Sequence, residues 1–140
     1  MVDEGRVVRL LRGIDERISR LAEQRAVVAS RRADPLWLDG IKYLFITAIE
    51  GCVDVAHHLA ASERWGAADT NAAVFALLAR HGVVSTESAG QLAAAVGLRN
   101  VLVHRYADVN DELVIAGLNE LDDLTRFVQQ VSSWLLAQHD

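Results

Sequence analysis

RNVLVHRY, Arg99–Tyr106, is the stretch on which the fold turns. Read as a strand, its Val-Leu-Val core would pair with ELVIAGL, Glu112–Leu118, in a hairpin around Val109-Asn110-Asp111. Read as a helix, it continues QLAAAVGLRN, Gln91–Asn100, whose alanines favour that state. An isolated hairpin is marginal unless it packs on a larger sheet, and no other stretch offers one. The helix is therefore the expected state.

Outward from this stretch the apolar residues keep helical spacing. Val7, Val8, Leu10, Leu11, Ile14, Ile18 and Leu21 recur every three or four residues, so residues 4–30 read as one amphipathic helix with Gly13 tolerated inside it. Pro35, the only proline, suits the first position of a second helix capped by Asp34. That helix carries Leu36, Trp37, Ile41, Leu44, Phe45, Ala48, Ile49, Cys52, Val53, Ala56 and Leu59. So wide an apolar face predicts the central helix. The pattern breaks near Trp65-Gly66, and Asp69 or Thr70 caps a shorter helix ending at His81-Gly82. Ser85 or Thr86 opens the next, which runs into the quoted stretch; the polar segment ADVNDE, Ala107–Glu112, follows it. Leu121, Leu124, Phe127, Val128, Val131, Trp134 and Leu135 share one face of a last helix. Residues 1–140 thus read as one all-α domain, a bundle of about five helices with short connections.

Composition limits the function classes. Apolar residues at 51% and charged residues at 24% describe a chain that folds. The formal net charge of −5 excludes a general nucleic-acid coat, because nonspecific affinity for a polyanion rests on neutralising phosphates. All basic residues but Lys42 are arginines, a bias that suits forked phosphate contacts and also fits a GC-rich genome. The single cysteine, Cys52, forms no internal disulfide, and MVDEGRVVRL has charges where a signal peptide needs an apolar run, so a cytoplasmic location is expected. No window offers the ~18 uncharged apolar residues of a membrane span, and no membrane partner is expected.

On a regular helix Arg99 and His104 are separated by about 500° of rotation and ~7.5 Å of rise. They share no face. A site using both needs the helix to end or deform near His104, or a second copy of the chain to bring its own pair alongside. Arg99, Asn100, three apolar residues, His104, one residue and Tyr106 together resemble the signature of the HEPN superfamily, in particular its HepT-like toxins. YLFITAIEGCVDVAHHLA, Tyr43–Ala60, is similar to the second helix of that family, so the likeness covers most of the chain. No motif position departs from the pattern, although Gly97 just before it can loosen the helix.

The resemblance implies a metal-independent endoribonuclease toxin, active as a homodimer, with the two motifs lining one cleft and no cofactor. Cleavage of RNA by its own 2′-hydroxyl needs a base, an acid and positive charge on the phosphorane, and two chains would supply two copies of His104 for the proton transfers. Arg99 would hold the phosphate and Asn100 would orient it or a neighbour. Arg105 would help bind RNA, whether transfer or messenger. Products would carry 2′,3′-cyclic phosphate and 5′-hydroxyl ends, and DNA would be spared. Tyr106 resembles the family's acceptor for AMP groups attached by a minimal nucleotidyltransferase antitoxin, a modification that would fill the cleft with negative charge. Without the resemblance, Tyr106 reads as an anchor for the helix end. A silent helical adaptor for a nucleotidyltransferase or nucleotide is the alternative.

Other candidates have plainer readings. Glu50, Asp54 and His58 follow at four-residue steps and could face a metal, but the chain has no Glu-x-x-His pair of the di-iron kind. A solvated face or dimer seam, with Asp54 pairing an arginine, is the simpler expectation, and no metal site is assigned. Cys52 reads as a small core residue. Trp37, Trp65 and Trp134 read as core or interface, and His57, His81 and His139 as surface or helix-end residues.

Overall fold

The computed structural model describes residues 2–139. The elements in chain order are α1 (Glu4–Glu23), α2 (Val28–Arg31), α3 (Pro35–Ser62), α4 (Asn71–Arg80), α5 (Thr86–His104), α6 (Asp111–Ala116) and α7 (Asp122–Ala137). Short 3-10 turns at Gln24–Val27, Tyr106–Asp108 and Gly117–Asn119 join them. Among the described residues there is no strand, so the quoted stretch is helix up to His104 and Glu112–Leu118 is helical too.

Side-chain caps explain most of these boundaries. Asp34 accepts from the N–H groups of Leu36 and Trp37, with Pro35 at the first position of α3. Thr70 and Ser85 cap α4 and α5 by accepting from Ala73 and Ser88. At the end of α4, Gly82 takes φ +77, while its N–H and that of Val83 donate to the carbonyls of Ala79 and Leu78. This is the glycine-closed helix end that the His81-Gly82 pair predicted. The same closure ends α3 through Arg64, at φ 57, with Arg64 and Trp65 donating to Ala61 and Ala60.

Two stretches differ from the sequence expectation. Residues 4–30 are not one helix: α1 stops at Glu23, because Arg25 Nε donates to the carbonyl of Leu118 at 2.6 Å and Gln24 accepts from the Trp37 indole at 2.9 Å. Those long-range bonds pull the chain out of the helical path. The polar segment after Tyr106 is also not a plain connection, since Asn110 accepts from the N–H of Glu112 and starts α6, which buries Val114 and Ile115. Among the described residues the bundle therefore has the five long helices expected, α1, α3, α4, α5 and α7, with two short ones added.

α3 is the central helix, packed against α1, α4, α5, α6 and α7. It buries Ile41, Phe45, Ala48, Ile49, Cys52, Val55, Ala56 and Leu59, and burial pushes the Cys52 thiol pKa far up, which keeps it an inert core group. Among the described residues it is the one helix long and apolar enough to cross a membrane, and half of that window is buried against its neighbours. Contact with α1 is close at Gly51, where an added Cβ would lie 2.7 Å from Cγ1 of buried Ile14. Phe75 of α4 and Phe127 of α7 meet edge to face with centroids 5.6 Å apart, tying the far side of the core.

Candidate functional site

The signature residues occupy the last two turns of α5 and the turn after it. Leu102 is buried and fixes which face of α5 meets the bundle. Arg99 lies beside that face and reaches α3, where its Nε and Nη2 both donate to Oε1 of Glu50 at 3.2 and 3.0 Å. Its Nη1 donates to the Asn100 amide oxygen at 3.0 Å. Both terminal nitrogens keep an N–H that these bonds do not use, so the guanidinium is held in place while still able to donate to an oxyanion.

His104 is the last residue of α5, and Arg105 departs from helical geometry at φ −133, ψ 39. The helix thus ends where a site using both Arg99 and His104 requires it to. His104 is exposed and has no hydrogen-bond partner among the described residues. Arg105 is also exposed, with Asp108 4.0 Å away. Within one chain, then, the structure does not bring His104 onto Arg99, which is held against Glu50 in the middle of α3.

Tyr106 turns back to α3. Its hydroxyl donates to Oδ1 of Asp39, and its ring lies under the Lys42 ammonium, 4.7 Å from Nζ to centroid. Lys42 is buried and pairs with Asp111 of α6 at 2.8 Å. The hydrogen bond to Asp39, then slight desolvation and the charges of Asp39 and Asp111, hold the Tyr106 phenol above its ordinary pKa.

Three of these partners were missed in the sequence. Asp39 and Lys42 are three residues apart and so share a side of α3, and Lys42 is the only lysine, but nothing local says that a residue more than sixty positions later will reach them. Glu50 was read only as part of a row with Asp54 and His58. That row is divided: Glu50 takes Arg99, His58 accepts from the Asp3 N–H at 3.3 Å, and Asp54 is exposed, so the expected arginine goes to Glu50. No cluster of His, Cys, Asp or Glu among the described residues could hold a metal ion. Leu36, Asp39, Tyr43, Thr47 and Glu50 step along α3 at three- and four-residue intervals, and Leu36 and Tyr43 are 81% and 63% exposed. Two exposed apolar side chains, Leu36 and Tyr43, therefore share this side of α3 with Asp39 and Glu50.

The tryptophans and remaining histidines are structural. Trp65 stacks on His81 with centroids 4.4 Å apart and meets Trp134 edge-on at 5.8 Å; His57 bonds Asn71 and His139 pairs with Glu4.

Comparison with known proteins identifies the family. Residues 14–131 match the family model described as ribonuclease HepT-like. The mRNA nuclease HepT of Shewanella oneidensis is 28% identical over 85 residues, 60% of this chain and 64% of that one. The tRNA nuclease HepT of Aphanizomenon flos-aquae is 30% identical over 88 residues, 62% of this chain and 60% of that one. In fold, the chain is similar to the tri-AMPylated Shewanella oneidensis HEPN toxin solved in complex with an MNT antitoxin, at a TM-score of 0.86 and 23% identity, covering 95% of this chain and 99% of that one. With a family match across most of its length, the chain belongs to the ribonuclease HepT-like family.

Proposed function

We propose that the protein is a cytoplasmic, metal-independent endoribonuclease toxin that works as a homodimer and is silenced by AMP addition to Tyr106. The observation that carries this reading is the oriented Arg99, braced by Glu50 and Asn100, one helix end away from an exposed and unengaged His104. A lone chain has one such imidazole, and the transesterification needs both a base and an acid. A second copy docked on the side of α3 that exposes Leu36 and Tyr43 supplies the other and closes the open surface into a cleft.

In that cleft one His104 takes the 2′-hydroxyl proton and the other protonates the leaving 5′-oxygen. Arg99 donates to the phosphorane oxygens through its free N–H groups, with Asn100 holding its plane. Arg105 meets the flanking phosphate. No divalent ion enters these steps. The names of the relatives support RNA as substrate and differ on whether messenger or transfer RNA is cut. The solved toxin with an MNT antitoxin supports a nucleotidyltransferase partner.

The test is cleavage of total cellular RNA by wild type and His104→Ala in EDTA, with analysis of the new ends. Cyclic phosphate and 5′-hydroxyl ends from wild type only are expected. Equal cleavage by the variant would remove His104 from the chemistry, and none by protein with unmodified Tyr106 would favour the adaptor.

A further inference from the structure

Tyr106 sits in a prepared setting. Lys42 lies over its ring, Asp111 fixes Lys42, and Asp39 receives the hydroxyl proton in a hydrogen bond. A tyrosine anchoring the helix end by its hydroxyl would also bond Asp39, so the two roles are told apart by the rate of modification and not by the contact alone. RNA cleavage uses neither Asp39 nor Lys42. The arrangement does suit a hydroxyl that must give up its proton while attacking an electrophile, because a positioned carboxylate within hydrogen-bond reach is what general-base assistance requires.

We infer that Asp39 is the proton acceptor for Tyr106 during transfer of AMP from ATP, with Lys42 holding the ring so that the phenol oxygen faces outward. This rests on the reading of Tyr106 as the AMP acceptor. The phenol oxygen attacks the α-phosphorus of ATP held by the nucleotidyltransferase. An O–P bond forms, the bond from that phosphorus to the bridging oxygen breaks, and pyrophosphate leaves with the electron pair. The phenol proton passes to the Asp39 carboxylate and on to water. It moves as the O–P bond forms, since a carboxyl group is too acidic to take it from a resting phenol.

The test uses the full chain, ATP and a minimal nucleotidyltransferase of the antitoxin class, with peptide mass spectrometry to locate AMP. Initial rates are compared for wild type, Asp39→Asn, Asp39→Glu and Tyr106→Phe from pH 6 to 9. Wild type is expected to gain AMP on Tyr106 and Tyr106→Phe none. Asp39→Asn should lose about a hundredfold in kcat, with KM for the chain within about twofold, and its residual rate should climb about tenfold per pH unit as phenolate accumulates. Asp39→Glu should recover part of the rate. AMP on Tyr106 at equal rates and pH profiles in wild type and Asp39→Asn overturns the role of Asp39 and leaves the acceptor reading intact. No AMP on wild-type Tyr106 overturns both. Asp39 is exposed and its replacement isosteric; if the Asn variant melts early, Asp39→Ser makes the same comparison.

Discussion

At Arg99 the pair with Glu50 is half-open to solvent, with side chains 22% and 43% exposed, so its contribution to stability is small, about 0.5–1 kcal/mol. Its value lies in orientation. Glu50→Ala should therefore shift the melting free energy by no more than about 1 kcal/mol and cut the cleavage rate by about tenfold or more, as a guanidinium that must be reoriented in each turnover stabilises the phosphorane less. Chemical denaturation beside single-turnover cleavage checks both halves of that statement. At Tyr106 the phenol is neutral in the folded chain at a pH where an unfolded tyrosine, with a pKa of about 10, has begun to ionise. The stability this gives is complete below about pH 10 and is lost as pH rises through the higher folded midpoint. Ultraviolet titration of Tyr43→Phe, which leaves Tyr106 as the only tyrosine, should give a midpoint above the ordinary value, and adding Asp39→Asn should lower it.

At the scale of elements, helix ends and close approaches carry the measurable energies. Arg64 holds a left-handed conformation at φ 57 to close α3, which costs a side-chain-bearing residue roughly 1 kcal/mol, so Arg64→Gly should raise stability by about that amount. Gly51→Ala should act the other way. Its helix-propensity gain of about 1 kcal/mol is outweighed by the collision with Ile14, and a net loss of about 1–2 kcal/mol in denaturant unfolding is expected. These elements also mark how far the sequence could be read. Asp34-Pro35, Thr70, Ser85 and His81-Gly82 are local signals whose physics lies within one turn, and each sits at the boundary expected. The end of α1 and the start of α6 were not legible, because the first depends on Arg25 finding a carbonyl of Leu118 and the second on a six-residue helix too short to establish a period.

For the whole molecule, Arg99, Asn100, His104 and Tyr106 could be picked out because they lie within one short motif. Glu50, Asp39 and Lys42 could not be given their roles, since each meets the motif only through the packing of α5 and its following turn on α3. The fold leaves His104 exposed at the end of α5 and Leu36 and Tyr43 exposed on α3, and the proposed chemistry closes only when two chains meet. The most direct measurement is a subunit-mixing titration, in which wild type and His104→Ala are equilibrated in varying ratio at constant total concentration and assayed for RNA cleavage in EDTA. If both imidazoles of one cleft are needed, mixed dimers are inactive and cleavage falls as the square of the wild-type fraction. A linear fall, with each chain cutting on its own, would contradict the two-chain site.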